Sequence, residues 1–191
     1  MFELLHQNIA NRVKLTPVEF EHITTFFIPK KLRKKQYFLQ AGDVCRYTAF
    51  VNKGCLRSYT VDDGGKEYVM QFAPEDWWIA DQGSMKANAP SKLHIDALED
   101  SELLLLTKDS MATLLDESAA FKRYMMVLLE NKSIANDERM SGMLSQSAEQ
   151  RYAAFESKYA SLVQRVPQHM IASFIGITPE TLSRLRKQRA G

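Results

Sequence analysis

The chain is poor in the residues that build metal centres and covalent scaffolds. Among its 191 residues are two cysteines, Cys45 and Cys55, with nine residues between them. Neither a disulfide framework nor a zinc ribbon follows from that spacing, and both read as small buried hydrophobes. The four histidines, His6, His22, His94 and His169, are scattered, with no pair at helical or hairpin ligand spacing, so no metal site and no cofactor is expected. A jelly-roll enzyme of the cupin kind would need a His/Glu cluster, and His94 is the only histidine in the β-rich region; enzyme activity is not expected. Long apolar runs are also missing. Leu103 to Leu106 spans four residues, which suits a buried strand rather than a membrane span. With no basic-apolar leader at the start, the expected location is the cytoplasm, without a membrane partner.

What is present is enough apolar material, 45% of residues, to bury a core in one or two compact units. Leu15 to Ile28 carries Thr16 as N-cap, Pro17 at the first helical position and Glu19 three residues beyond the cap, which predicts a capped leading helix. Lys30 to Lys35 follows with five basic residues in six; a solvated edge running into a strand explains it better than a binding patch. From Gln36 to Leu106 short β-rich runs alternate with turn residues. Strands are expected at Tyr37–Leu39, Tyr47–Val51, Leu56–Val61, Glu67–Phe72, Trp77–Ala80, Leu93–Leu98 and Glu102–Leu106, with spacings typical of a jelly roll. Asp81 to Ser91, polar and turn-rich, is long enough to border a pocket.

Beyond Thr107 the periodicity becomes helical. Lys108–Leu115 makes a short amphipathic segment, and Ser118–Ser145 a long one without proline in which Phe121, Met125, Leu128 and Ala135 approximate a heptad seam, interrupted by Lys132 and Arg139. Pairing with a second copy and packing on its own domain both fit this pattern. Gly142 is a candidate end or bend, and Ser147–Val163 opens another helix with an N-cap.

The last 25 or so residues carry the strongest motif. Met170, Ile171, Phe174 and Ile175 recur at helical spacing and Gly176 follows as the residue that takes a left-handed turn at low cost. Thr178 then supplies an N-cap and Pro179 the first position of a new helix. Two residues between the Gly and the Pro force the helices to diverge, as in a helix-turn-helix. Leu182 and Leu185 point inward, leaving Glu180, Thr181, Ser183, Arg184 and Lys187 outside. Arg165 to Gly191 carries +4 while the whole chain carries +2, so positive charge is concentrated where phosphate attraction would use it. An ordinary charged helical hairpin fits the same pattern.

The order β-roll, long helix, helix-turn-helix is that of the Crp-Fnr family of bacterial transcription regulators, and the chain resembles that family over essentially its whole length. The stretch IASFIGITPETLSRLRK looks like its DNA-reading unit, through Gly176, Thr178, Glu180-Thr181 and Arg184. FLQAGDVCRYTAFVNKGCLRSYT is similar to the opening of its cyclic-nucleotide-binding-like roll, with turns at Gly42-Asp43 and Lys53-Gly54. The resemblance implies an α+β chain: a jelly-roll-like sensor domain over residues 1–116, a dimerisation helix over 117–145 and an all-α helix-turn-helix domain over 146–191.

It also implies a homodimer on a pseudo-palindromic operator in double-stranded DNA. Glu180 and Arg184 would be base readers; Gln168, Thr178 and Lys187 would hold phosphates, and Thr181 and Ser183 could do either. Pro179 departs from the family's base-contacting Arg or polar residue. The nucleotide clamp departs further: Ile79-Ala80 stand for its Gly-Glu pair and Ser91-Lys92 for its Arg-Ser, so cyclic AMP is not the expected effector. Tyr68, Trp78, Ser91, Lys92 and Asn136 are the candidate contacts for a different small molecule. The N-terminal cysteine cluster of the family's iron-sulfur sensors is missing, and the chain ends where many members continue into a β-hairpin wing. RNA polymerase is a further partner that the family allows. A ligand-binding module without DNA activity is the alternative.

Overall fold

The computed structural model describes residues 1–190, with side chains up to Gln188. Helices α1 (Glu3–Ala10) and α2 (Pro17–Thr24) lead into strands β1 (Ile28–Leu32), β2 (Tyr37–Leu39), β3 (Tyr47–Lys53), β4 (Leu56–Val61), β5 (Glu67–Ala73) and β6 (Trp78–Ile79). Helix α3 (Gln82–Ala87), β7 (His94–Ala97), β8 (Ser101–Thr107), α4 (Lys108–Glu117) and the 27-residue α5 (Ala119–Ser145) follow. The chain closes with α6 (Ala148–Lys158), a 3-10 turn at Ala160–Leu162, α7 (Gln168–Ile175) and α8 (Pro179–Ala190). The class is α+β, and no described helix is long and apolar enough to cross a membrane.

Two compact units share these elements. The first comprises Met1–Ser58 and Phe72–Asn131. Its strands belong to two four-stranded sheets, ordered β1-β8-β3-β6 and β2-β7-β4-β5. Because alternate strand residues face opposite sides, the Leu103–Leu106 run serves two cores. Leu103 and Leu105 join Leu39, Cys45, Val51, Leu56 and Ile95 inside the roll, while Leu104 and Leu106 join Leu5, Ile9, Ile23, Leu114, Phe121 and Tyr124 against the helices. Truncating any of these leucines to Ala costs about 2–5 kcal/mol in a close-packed site. Both cysteines are buried thiols.

The capping box forms as the sequence predicts: Thr16 Oγ1 accepts from the Glu19 N–H at 3.3 Å and the Glu19 carboxylate accepts from the Thr16 N–H at 2.8 Å. Helix α2 nevertheless stops at Thr24, short of Ile28, because Ile28 pairs with Leu105 as the first residue of β1. That strand takes in the start of the lysine run. It lies at a sheet edge with only Leu32 buried, which lets Pro29 sit within it and leaves Lys31 to pair with Glu102 at 3.2 Å. At the turn after β3, Gly54 has φ +93°, and a Cβ there would lie 2.3 Å from Ser101 Oγ and 2.8 Å from the Asp100 carbonyl; glycine is required on both counts.

Where α5 leaves the roll, Phe121 and Tyr124 are fully buried and Met125 and Leu128 pack beside them. The candidate seam is therefore consumed by its own domain in its first half. The outward face lies elsewhere: Met126, Leu129, Met140 and Leu144 share one side of α5 and are 54, 58, 61 and 85% exposed. Gly142 does not end the helix, which continues to Ser145.

The second unit comprises Tyr59–Gln71 and the chain from Lys132 onward. Tyr152, Phe155, Leu162, Val166, Ile171, Phe174, Ile175 and Leu182 form its core. Phe155 stacks on Tyr159 at 5.1 Å between ring centres, and Phe174 meets both edge-on. The helix begun at Ser147 by a capping box with Gln150 breaks at Tyr159 rather than reaching Val163, giving way to the 3-10 turn.

Candidate nucleic-acid interface

The candidate surface is built by a turn and a cap. Gly176 closes α7 in the left-handed region at φ +69°. The Ile177 N–H donates to the Ala172 carbonyl at 3.0 Å and the Gly176 N–H to the Ser173 carbonyl at 3.2 Å, the paired bonds of a Schellman turn. Thr178 Oγ1 then accepts from the Thr181 N–H at 3.2 Å, and α8 starts at Pro179. Leu182 is fully buried and fastens α8 to the unit's core, which fixes the opposite face outward.

That outer face holds Pro179, Glu180, Ser183, Arg184, Lys187 and Gln188 around a shallow concavity. All six are exposed, and Thr181 is half-buried beside them. No acid among the described residues pairs with Arg184 or Lys187. The Glu180 carboxyl is held below the usual carboxylate range by its own backbone N–H and by the Thr178 hydroxyl, so it stays an acceptor. A carboxylate acceptor, a hydroxyl and a five-donor guanidinium on successive turns of one helix are chemically able to address base edges. Sequence reasoning missed Gln188, although it lies one helical turn beyond Arg184. Arg189 falls outside the described side chains.

Gln168 behaves differently from the rest of the set. It is the first residue of α7, half-buried, with Nε2 donating to the Val163 carbonyl at 3.4 Å and Oε1 buried without a partner. Its amide is turned back on the preceding loop, because the N-terminus of α7 has no side-chain cap and the nearest carbonyl takes the amide.

The five candidate effector contacts are not brought together within either unit: Trp78, Ser91 and Lys92 belong to the first, Tyr68 and Asn136 to the second. Trp78 lies in the helix-side core, against Phe50 at 5.4 Å and Phe27 at 6.0 Å, with Nε1 donating to Tyr124 Oη at 2.8 Å. Tyr124 Oη donates in turn to Asn8 Oδ1, and Asn8 Nδ2 to Asp76 Oδ1. Burial pushes the Tyr124 phenol well above its ordinary value. An indole held in this chain of hydrogen bonds packs against the helix-side core. Ser91 is also committed: its hydroxyl donates to Asp81 Oδ2 at 2.7 Å and accepts from the Leu93 N–H at 2.9 Å. Lys92 and Asn136 are exposed, and Tyr68 Oη donates to Asp62.

Asp81 is a residue the sequence motifs did not single out. Its carboxylate caps α3 through the Ser84 N–H at 3.0 Å while holding Ser91 with its other oxygen. The expected loop Asp81–Ser91 thus contains a helix; the cap was legible, but Gly83 and the brevity of the run obscured it. Among the described residues, no cluster of His, Cys, Asp or Glu is able to hold a metal ion.

Comparison with known proteins places this architecture. The family described as "Cyclic nucleotide-binding domain" matches residues 29–118. The regulatory protein HlyX of Actinobacillus pleuropneumoniae is 28% identical over 176 residues, covering 85% of this chain and 72% of that protein. The anaerobic regulatory protein of Pasteurella multocida is 27% identical over the same length, with 85 and 63% covered. The chain thus spans roughly two thirds of each relative. Among solved structures, FixK2 from Bradyrhizobium japonicum shares the fold with a TM-score of 0.72 at 18% identity, over 85% of this chain and 83% of that one.

Proposed function

We propose that the chain is a member of the Crp-Fnr family of regulators, a sequence-specific DNA-binding transcription regulator that works as a homodimer in the cytoplasm; the family-model match, the relatives of 27–28% identity and the shared fold support this. The observation that carries this is the outer face of α8, where Arg184 and Lys187 stand exposed and without acidic partners beside Glu180 and Ser183. Cations left free on a helix that starts at a tight turn suit phosphate and base contacts together. In this proposal Glu180 and Arg184 read bases, Thr178 and Lys187 hold phosphates, Thr181 and Ser183 support either task, and Pro179 sets the helix start. Gln168 contributes through the loop it braces.

The partner copy is assigned to the exposed apolar residues on one side of α5, Met126 and Leu129 in the first unit and Met140 and Leu144 in the second. Two-fold pairing places half-sites of a pseudo-palindromic operator about 34 Å apart. RNA polymerase is the partner through which such a regulator would act on transcription. The domain boundaries 1–116, 117–145 and 146–191 divide sensing, pairing and reading.

The roll is proposed to take an effector other than a cyclic nucleotide. At the start of α3, Asp81 supplies its own carboxylate to the helix N–H group and to Ser91, so an incoming phosphate would meet like charge and no cationic fork. Lys92 is a solvated point charge that does not replace one.

The test is selection of duplexes from a random DNA pool, followed by affinity measurement across salt concentrations. The expected outcome is an enriched two-fold site and a steep salt dependence, with a dimer in gel filtration that Leu129→Glu dissociates. Salt-independent or absent duplex binding would leave only a ligand-binding module.

A further inference from the structure

Residues 59–71, the tip of the β4–β5 hairpin, belong to the compact unit that contains α7 and α8. The strands that carry this tip are members of the sheet β2-β7-β4-β5, in which β5 is the outer strand. An outer strand presents backbone groups that no neighbouring strand satisfies. Here one side chain takes two of them. Ser173 Oγ, on α7, accepts from the Val69 N–H at 3.0 Å and donates to the Glu67 carbonyl at 3.0 Å. Strand residues two apart direct these groups to the same edge, so the hydroxyl stands in for a single residue of an adjoining strand.

A second side chain reinforces the contact. Arg139, on α5, donates to the Met70 carbonyl at 2.5 Å, and its guanidinium lies 4.4 Å from the centre of the Phe174 ring. Both attachments therefore converge on consecutive residues of α7, Ser173 and Phe174. Gly176, which sets the direction of α8, is two residues further on. A half-buried helix position needs no hydroxyl for packing alone; a hydroxyl that both donates and accepts on one strand edge answers a specific demand for alignment.

We propose that Ser173 and Arg139 tether strand β5 to α7, and that this tether passes changes in the hairpin to the reading helix α8. They are positioning residues for DNA recognition, acting through α7. The functional half of this inference rests on the proposed role of α8; the physical coupling does not, and the two are separable by experiment.

Amide hydrogen exchange on the full chain tests the coupling without DNA. Ser173→Ala should speed exchange at the Val69 amide on the order of tenfold, the effect of losing one partly buried hydrogen bond, and Ser173→Thr should restore protection. Asp62 ties the hairpin turn, accepting from the Gly64 and Lys66 N–H groups and from Tyr68 Oη. Asp62→Ala should therefore raise exchange in α7 and at the start of α8 severalfold in the wild-type background. In a Ser173→Ala, Arg139→Gln background the same change should have no such effect, as a coupling cycle requires. Unchanged Val69 exchange in Ser173→Ala, or an Asp62→Ala effect of equal size in both backgrounds, overturns the tether. Intact coupling in a chain that binds no duplex overturns instead the claim that the tether serves recognition.

Discussion

Helices α3 and α8 begin alike and are put to opposite uses. Each is opened by a side-chain oxygen on the backbone N–H of the third residue beyond the cap, from Asp81 to Ser84 and from Thr178 to Thr181. The cap of α8 is neutral, and beyond it Arg184 and Lys187 have no acidic partner among the described residues. At α3 the cap is a carboxylate, and its second oxygen takes the nearest hydroxyl, that of Ser91. A positive helix end can receive an anion only if the chain has not already supplied one. In the proposed reading the two helix starts have thus diverged: the one that would face DNA is left open, and the one at α3 is filled from within.

The largest expected contrast is thermal. A duplex carrying the selected site, at a hundredfold above its Kd, should add about 2.7 kcal/mol to stability by mass action, while millimolar cyclic AMP leaves the melting curve where it was. A rise with cyclic AMP would show that Asp81 yields its place. Next in size are the caps themselves. Thr178→Ala and Asp81→Ala should each cost about 1 kcal/mol in denaturant titrations, but only Thr178→Ala should also weaken duplex binding; equal losses of affinity would erase the distinction drawn between the two helices.

The smallest effect is a pH dependence. Glu19, Asp62 and Glu180 are held below their ordinary values: Glu19 by the Thr16 backbone N–H and hydroxyl, Asp62 first by the Lys66 N–H and then by Tyr68, and Glu180 by its own N–H and Thr178. A carboxyl whose folded pKa is depressed contributes stability that is complete above its unfolded value and disappears as pH falls through the folded value. Melting temperature should therefore be flat near neutrality and decline below the ordinary carboxylate range, near about 4. Replacing Glu19 and Glu180 by Gln and Asp62 by Asn should flatten that decline; an unaltered curve would assign it to other groups.

Much of this was readable from the chain. The capping box at Thr16, the N-cap at Ser147, the Gly176 turn and the start of α8 are local signals, satisfied within a few residues, and the structure repeats them. The four-leucine strand was legible as buried, but not its division between two cores. Long-range pairing decided what local pattern could not. Ile28 left the predicted helix to pair with Leu105, and Trp78 formed a hydrogen bond to Tyr124, 46 residues on. Phe121, Met125 and Leu128 read as a seam because burial against one's own domain and burial against a partner have the same helical period. Asp81 escaped notice since a six-residue helix with an internal glycine has almost no periodicity to detect.

The most direct test of the account is a base-by-base affinity profile of the selected site with wild type, Arg184→Ala and Lys187→Ala. Arg184→Ala should lose ~1–3 kcal/mol at one symmetric pair of positions and become indifferent to the base there, whereas Lys187→Ala should weaken every sequence alike and lower the salt slope by about 1. Uniform weakening by Arg184→Ala, with the preference for each base intact, would contradict the assignment of α8 as the helix that reads DNA.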